Sequence, residues 1–224
     1  MEQKFIIIKE AVEKELSCSA HSMDHVMRVY NLSLSLAEGE DVDLDVLKAA
    51  VLLHDIARVK EDNDATGQTD HAILSSQMAE PILKNLDFNK EQIKHIQDCI
   101  VSHRYRTGNS PKSKEAEILF DADKLDSLGA IGVARSFVWV GRNNARMYSN
   151  VDEISKYIDE NLGGKINGRI KDKTKHSPQI EYETKLKFII SRLNTEKAKA
   201  VCKERMRFYE SFFARLEKEI DGEL

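Results

Sequence analysis

Among the side chains able to do chemistry, the adjacent pair His54-Asp55 is set apart by its surroundings, the apolar run LKAAVLLHDIAR from Leu47 to Arg58. At helical period Leu47, Ala50, Val51, His54, Asp55 and Arg58 share one stripe, so the ionisable pair lies on the face that must pack inward. A carboxylate on the packed side of a helix is costly unless its charge is compensated, and only a protonated imidazole or a bound cation does that. Two other segments repeat the oddity. His21, His25, Arg28, Val29 and Leu32 fall on one helical face, as do Leu119, Ala122, Asp123, Asp126 and Ala130. A single His-Asp pair reads most simply as a hydrogen-bonded core pair, whereas three helices turning His or Asp inward point to a shared buried cation.

The elements that must position these groups are helices. Glycine and proline are few and apolar residues recur at three- and four-residue spacing nearly throughout, which predicts an all-α fold. A first helix runs through Phe5, Ile8 and Val12 to Leu16, and a second starts near His21 and stops at Gly39. Asp43 is the expected N-cap of the third. Residues 59–70 read as a polar, flexible loop bordering the site, ending at Thr69-Asp70 as the start of a helix from His71 to Leu83. A further helix spans Asn89 to Tyr105, and Gly108, Asn109 and Pro111 then break the chain. From Lys114 one long helix is expected, nearly all apolar between Ile118 and Val140 apart from Asp121, Asp123, Lys124, Asp126 and Arg135. Residues 141–182 read as an excursion or lid with little core of its own, followed by an amphipathic pair over 184–193 and 195–219. The division expected is therefore a helical core over 1–140 and, over 141–224, a lid with C-terminal helices that pack back to make one globular unit.

At 224 residues the chain can bury a substantial core, and its net charge of −4 with no basic stripe argues against nucleic acid as a partner. The apolar run in MEQKFIIIKEAVEKEL is too short for a signal peptide or membrane span, so a cytoplasmic chain without a membrane partner is expected. Cys18, Cys99 and Cys202 are odd in number, widely spaced and lack a CxxC pair, which disfavours disulfides and thiolate zinc alike.

His25 followed by Arg28-Val29, then His54-Asp55-Ile56, then DADKLDSLGAIGVAR from Asp121 to Arg135, resembles the HD-domain superfamily of metal-dependent phosphohydrolases, named for its His…His-Asp…Asp ligands. The last stretch is similar to the small stand-alone bacterial HD hydrolases, and the resemblance extends over residues 20–140. It implies an HD-domain helical bundle with additional C-terminal helices. It also implies His25, His54, Asp55 and Asp123 as metal ligands, Asp123 because Ala-Asp-Lys-Leu matches the family's Ala-Asp-(Arg/Lys)-Leu. Two imidazoles and two carboxylates without sulfur suit Mn, Mg, Fe, Co or Ni better than a closed zinc site. One ion is expected. His71 and His103 are candidates for contacting phosphate or for holding a second ion, and both options stay open.

Arg28, Arg58 and Lys124 are the cationic candidates for binding substrate phosphates, each also readable as a structural or surface pair. Asp126 and His21 are candidates for catalytic work, Asp126 by positioning a water and His21 by delivering a proton, with a core-polar role as the alternative. Asp121 is expected to be solvated or to cap, and His95 and His176 to be exposed. The resemblance implies hydrolysis of nucleoside triphosphates to monophosphate and pyrophosphate, so the partner is a phosphorylated small molecule, and a homo-oligomer is left open. Two alternatives stand beside it: a cyclic-nucleotide or other phosphodiesterase, and a non-catalytic metal-binding regulatory module.

Overall fold

The computed structural model describes residues 2–16, 23–104, 108–152, 154–166 and 168–224. Among them the chain is α-helical, with short 3₁₀ turns and no strand. It forms two compact units, Met1–Asp123 and Lys124–Leu224. No helix among the described residues is long and apolar enough to cross a membrane.

The first unit contains α1 (Gln3–Glu15), α2 (Met23–Ala37), α3 (Leu44–Leu53), α4 (Arg58–Asp62), α5 (His71–Leu83), α6 (Lys90–Ser102) and most of α7 (Lys114–Leu125). Its axis is α3, whose sequence LDVLKAAVLL is apolar on every side from Ala49 onward and is buried accordingly. α1, α2, α5 and α6 all pack against it. The expected caps are formed. Asp43 accepts from the backbone N–H groups of Asp45 and Val46, and Asp70 from those of Ala72 and Ile73. Asn89 and Gln92 close a reciprocal capping box at the start of α6.

The helix expected from Leu47 to Arg58 stops at Leu53, with His54 as its C-cap. The following backbone turns tightly, Ile56 N–H donating to Leu53 O at 3.2 Å and Arg58 N–H to Asp55 O at 2.8 Å, and Ala57 N–H finds Ser75 Oγ at 3.1 Å. With its donors satisfied by these groups, the segment leaves the helix without orphaning backbone. Residues 59–70 are ordered rather than a flexible loop. They begin in α4, and Asp64 then accepts from the backbone N–H groups of Thr66 at 2.8 Å and Thr69 at 2.7 Å.

The second unit contains α8 (Gly129–Asn143), α9 (Ile154–Asn161), α10 (Pro178–Thr184) and α11 (Glu196–Ile220). The long helix expected through Val140 is divided: α7 ends at Leu125, and α8 begins at Gly129, whose φ of +68° suits a residue without a side chain. Arg135 donates from Nη1 to the Asp126 carboxylate at 2.6 Å and to its carbonyl at 3.1 Å, holding the break together. α8 packs on α11 through Phe137 against Phe212 and Phe213. The helix expected over 184–193 is replaced by the end of α10 and two 3₁₀ turns.

Residues 141–182 have a polar core that periodicity alone does not reveal. His176, expected to be exposed, is buried, with Nδ1 2.7 Å from Tyr157 Oη and Nε2 3.1 Å from Glu181 Oε2. Asn161 donates to Tyr157 Oη at 2.7 Å and to the Asp172 carbonyl at 3.0 Å, and the edge of Trp139 meets the His176 ring.

Candidate metal centre

Three helix ends and two helix faces bring six donors together in the first unit. His25 projects from α2 and Asp123 from the last turn of α7, while His54 and His103 are the C-caps of α3 and α6. His71 is the first residue of α5, and Asp55 follows His54 directly. Asp55 divides the group in two. Its Oδ2 lies 3.8 Å from His25 Nε2 and 3.9 Å from His54 Nε2, whereas its Oδ1 lies 3.3 Å from His71 Nε2 and 3.6 Å from His103 Nε2. Asp123 Oδ1 adds to the first half at 3.4 Å from His25 Nε2. Donor atoms of His25, His54 and Asp55 lie within 4.8 Å of one another, and so do those of Asp55, His71 and His103, all from buried residues.

The opposite edges of the rings decide what these atoms carry. His54 Nδ1 is 2.7 Å from the Val51 carbonyl and His103 Nδ1 is 2.5 Å from the Ile100 carbonyl, so both nitrogens are protonated and donate. A C-cap histidine thus uses a carbonyl that a helix C-terminus leaves without an intrahelical partner. The Nε2 atoms of both rings are turned toward Asp55. His54 Nε2 is fully buried and has no hydrogen-bond partner.

Burial pushes His54 down to about 4 and His71 down to about 3, so neither is a cation at neutral pH. Burial alone would raise Asp55, but His54, His103 and His71 around it hold its carboxyl well below the usual carboxylate range. The centre is therefore a buried carboxylate ringed by imidazoles, a donor set that a divalent cation would hold together. Ligands about 2.1 Å from an ion in neighbouring octahedral positions stand about 3 Å apart. The donors here approach that spacing, and the C-terminal ends of α3 and α6 add partial negative charge. Nitrogen and carboxylate donors without sulfur fit a divalent ion of the Mn, Mg or Fe type.

The HD-domain family matches residues 23–128, the span that contains all six donors. Over that span the chain is similar to HD domains. Relatives extend the likeness beyond that span. The protein YpgQ of Bacillus subtilis is 28% identical over 208 residues, covering 91% of this chain and 86% of its own. A crystal structure of YpgQ in complex with ADP superposes with a TM-score of 0.70 at 25% identity, over 97% of this chain and 98% of that one. An HD-superfamily hydrolase from Bacillus thuringiensis superposes with a TM-score of 0.68 at 25% identity, over 98% and 95%. The 3'-5' exoribonuclease YhaM of Bacillus licheniformis is 32% identical over 117 residues, which cover 46% of this chain and 37% of that protein. This likeness to HD hydrolases supports a hydrolase, and the family typically binds a divalent metal.

Within the HD domain the structure gathers His25, His54, Asp55 and Asp123, with His71 and His103 on the other side of Asp55. Arg58 is partly buried at the edge of the second half, Nη1 2.8 Å from Glu61 Oε2 and 3.0 Å from His71 Nδ1. Arg28 is half-buried on α2, one turn beyond His25. Lys124 is half-buried next to Asp123 in α7. Asp126 is buried past the end of α7 in its ion pair with Arg135. His21 lies outside the described residues.

Asp121, expected to be solvated or capping, is fully buried. His95 is half-exposed, with Nε2 2.8 Å from Ser113 Oγ and 3.2 Å from Glu115 Oε2, at a distance in sequence that no motif marks. Sequence reading passed over Glu61 and Arg104, which flank His71. Glu61 sits in the stretch read as a flexible loop, and Arg104 lies just beyond an apolar helix, so nothing local marks either. The usable signal was a histidine at a helix start that needed an acceptor for its second ring nitrogen.

Proposed function

We propose that this HD domain is a divalent-metal-dependent phosphohydrolase acting on nucleotides, cutting a nucleoside triphosphate to monophosphate and pyrophosphate. One observation carries the proposal: a buried Asp55 carboxylate presents one oxygen to His25 and His54 and the other to His71 and His103. His25, His54, Asp55 and Asp123 would hold one ion. Asp55, His71 and His103 would hold a second. A divalent cation so held polarises a phosphoryl oxygen and lowers the pKa of bound water toward neutrality.

The chain's own residues supply the setting. Buried His54 and Asp55 keep their ring and carboxylate fixed by packing and exclude bulk water, which strengthens every charge interaction there. Arg58, with its guanidinium at the edge of the donors, is suited to gripping a phosphate, and Arg28 offers a second cation one turn from His25. Support for a nucleotide comes from the ADP complex of YpgQ, a relative alike over nearly the full chain. Nucleotide hydrolysis fits a cytoplasmic protein whose buried Cys99 and Cys202 are free thiols.

The test is metal content together with product release from nucleoside triphosphates, cyclic nucleotides and RNA in the presence of Mn or Mg. Pyrophosphate from a triphosphate, lost in His54→Ala and Asp123→Ala, is the expected result. Release from cyclic nucleotides or RNA alone would make the chain a phosphodiesterase, the reading favoured by its likeness to YhaM. Stoichiometric metal with no product from any nucleotide would make it a regulatory module.

A further inference from the structure

We propose that Glu61 is a positioning residue for His71: it selects the ring tautomer that leaves Nε2 bare toward Asp55. The inference rests on reading the donors as a cation site, and its first test needs neither metal nor nucleotide. His71 Nδ1 has two neighbours with opposite demands, Glu61 Oε2 at 2.7 Å and Arg58 Nη1 at 3.0 Å. A carboxylate only accepts, so Glu61 needs Nδ1 to carry the proton. A guanidinium only donates, so Arg58 needs Nδ1 bare.

Glu61 prevails on geometry. Its contact is the shorter, and Arg58 Nη1 already has an acceptor in the same Oε2 at 2.8 Å, so Arg58 keeps a full hydrogen bond when Nδ1 is protonated. Glu61 is itself fixed. Its Oε1 accepts from Arg104 Nη1 at 2.8 Å, and the same Nη1 lies 2.9 Å from Oδ2 of Asp70, the N-cap of the helix that His71 begins. The carboxylate therefore ties α4, the start of α5 and the residue after the C-cap of α6 into one bracket around the ring.

The consequence appears on the far side of the imidazole. With the proton on Nδ1, His71 Nε2 is a lone pair 3.3 Å from Asp55 Oδ1 and 3.3 Å from His103 Nε2. With the proton on Nε2, His71 would instead donate into this group and close it to a cation. Glu61 thus decides whether His71 presents an acceptor or a donor to Asp55. A carboxylate behind a ligating histidine raises its basicity and fixes its orientation.

Long-range 1H–15N spectra of the histidine rings in metal-free protein near neutral pH test this directly, with His71 assigned by comparison with His71→Gln. In the wild type His71 is expected as the Nδ1–H tautomer, and in Glu61→Leu, which has no acceptor, it is expected to shift toward the Nε2–H form as Arg58 takes over Nδ1. A wild-type ring already in the Nε2–H form overturns the proposal without any variant. Retention of the Nδ1–H form in a folded Glu61→Leu overturns it as well. In Mn titrations followed by calorimetry, Glu61→Leu should weaken binding that depends on His71 by about 10- to 100-fold. An affinity within twofold of wild type would also overturn it. A chain that hydrolyses no nucleotide can still pass the tautomer test, so the failure of this proposal and that of the proposed function are separable.

Discussion

Asp55 is asked to do something unusual for a buried carboxylate, because four imidazoles surround it at 3.3–3.9 Å. Removing the charge should therefore separate metal binding from folding. Asp55→Asn keeps the shape and can donate to a bare Nε2, so its metal-free stability is expected to equal the wild type's or exceed it by about 1–2 kcal/mol, while its metal binding is abolished. Denaturation in chelator and metal calorimetry check the two halves. A metal-free variant about 3 kcal/mol less stable than wild type would mean that the carboxylate is structural.

A second, half-buried carboxylate behaves differently. Burial alone would raise Glu181, but Lys185 and His176 hold it well below the usual range, with Oε1 2.7 Å from Lys185 Nζ and Oε2 3.1 Å from His176 Nε2. Its folded pKa is thus below its unfolded value, so its contribution is complete above the ordinary carboxylate range and disappears as pH falls through that range toward the folded pKa. Wild type should exceed Glu181→Gln by about 1–2 kcal/mol at pH 7, and the gap should narrow below about pH 4.5. Paired denaturation curves at the two pH values decide it, and a gap that widens in acid would contradict the assignment.

At the level of elements, one device is used twice: a helix ends, and its C-cap histidine spends Nδ1 on the carbonyl three residues back and turns Nε2 to Asp55. That much was half legible. The apolar stripe from Leu47 correctly turned His54 and Asp55 inward, but periodicity cannot see that the helix stops at Leu53, because the backbone after it is satisfied by Ser75 from a distant helix. The division of α7 from α8 was illegible for a related reason. The run from Ile118 to Val140 keeps a helical apolar pattern across the break, which is set by Gly129, Asp126 and Arg135 through tertiary bonds.

Gly129 and Gly132 test how firmly that break is built. A Cβ on Gly129 would meet Arg205 Cγ at 3.0 Å, and Arg205 Nη1 donates to the Leu125 carbonyl at the end of α7 at 2.7 Å. Its left-handed backbone adds strain, so Gly129→Ala should lose about 1–2 kcal/mol. A Cβ on Gly132 would lie 2.3 Å from the Ser127 carbonyl oxygen, which is backbone and cannot swing aside. Gly132→Ala should lose about 3 kcal/mol or more, as overpacking against a fixed partner does. Thermal and denaturant unfolding of the two variants gives the order, and a Gly132→Ala as stable as wild type would require a different backbone at this turn.

On the scale of the whole molecule, every donor comes from the first unit, and each is on a different element or at a helix end, so a cation there would fasten α2, α3, α5, α6 and α7 to one another. Metal binding and folding should then be linked. Divalent ion at about 100 times its dissociation constant stabilises the folded state by about 2.7 kcal/mol. For a chain of this size that is a rise of about 5–10 °C in Tm, reversed by chelator. Hydrogen exchange would locate the effect, with protection growing at the C-terminal turns of α3 and α6 and at the start of α5, where the histidines attach. Stoichiometry follows from the way Asp55 is shared. His103→Ala removes a donor 3.6 Å from Oδ1 and should leave one ion bound at His25, His54 and Asp123, whereas Asp55→Asn should leave none. If His103→Ala and wild type bind the same number of ions with equal affinity and equal gain in Tm, the Oδ1 half holds no cation, and His71 and His103 are left to contact phosphate.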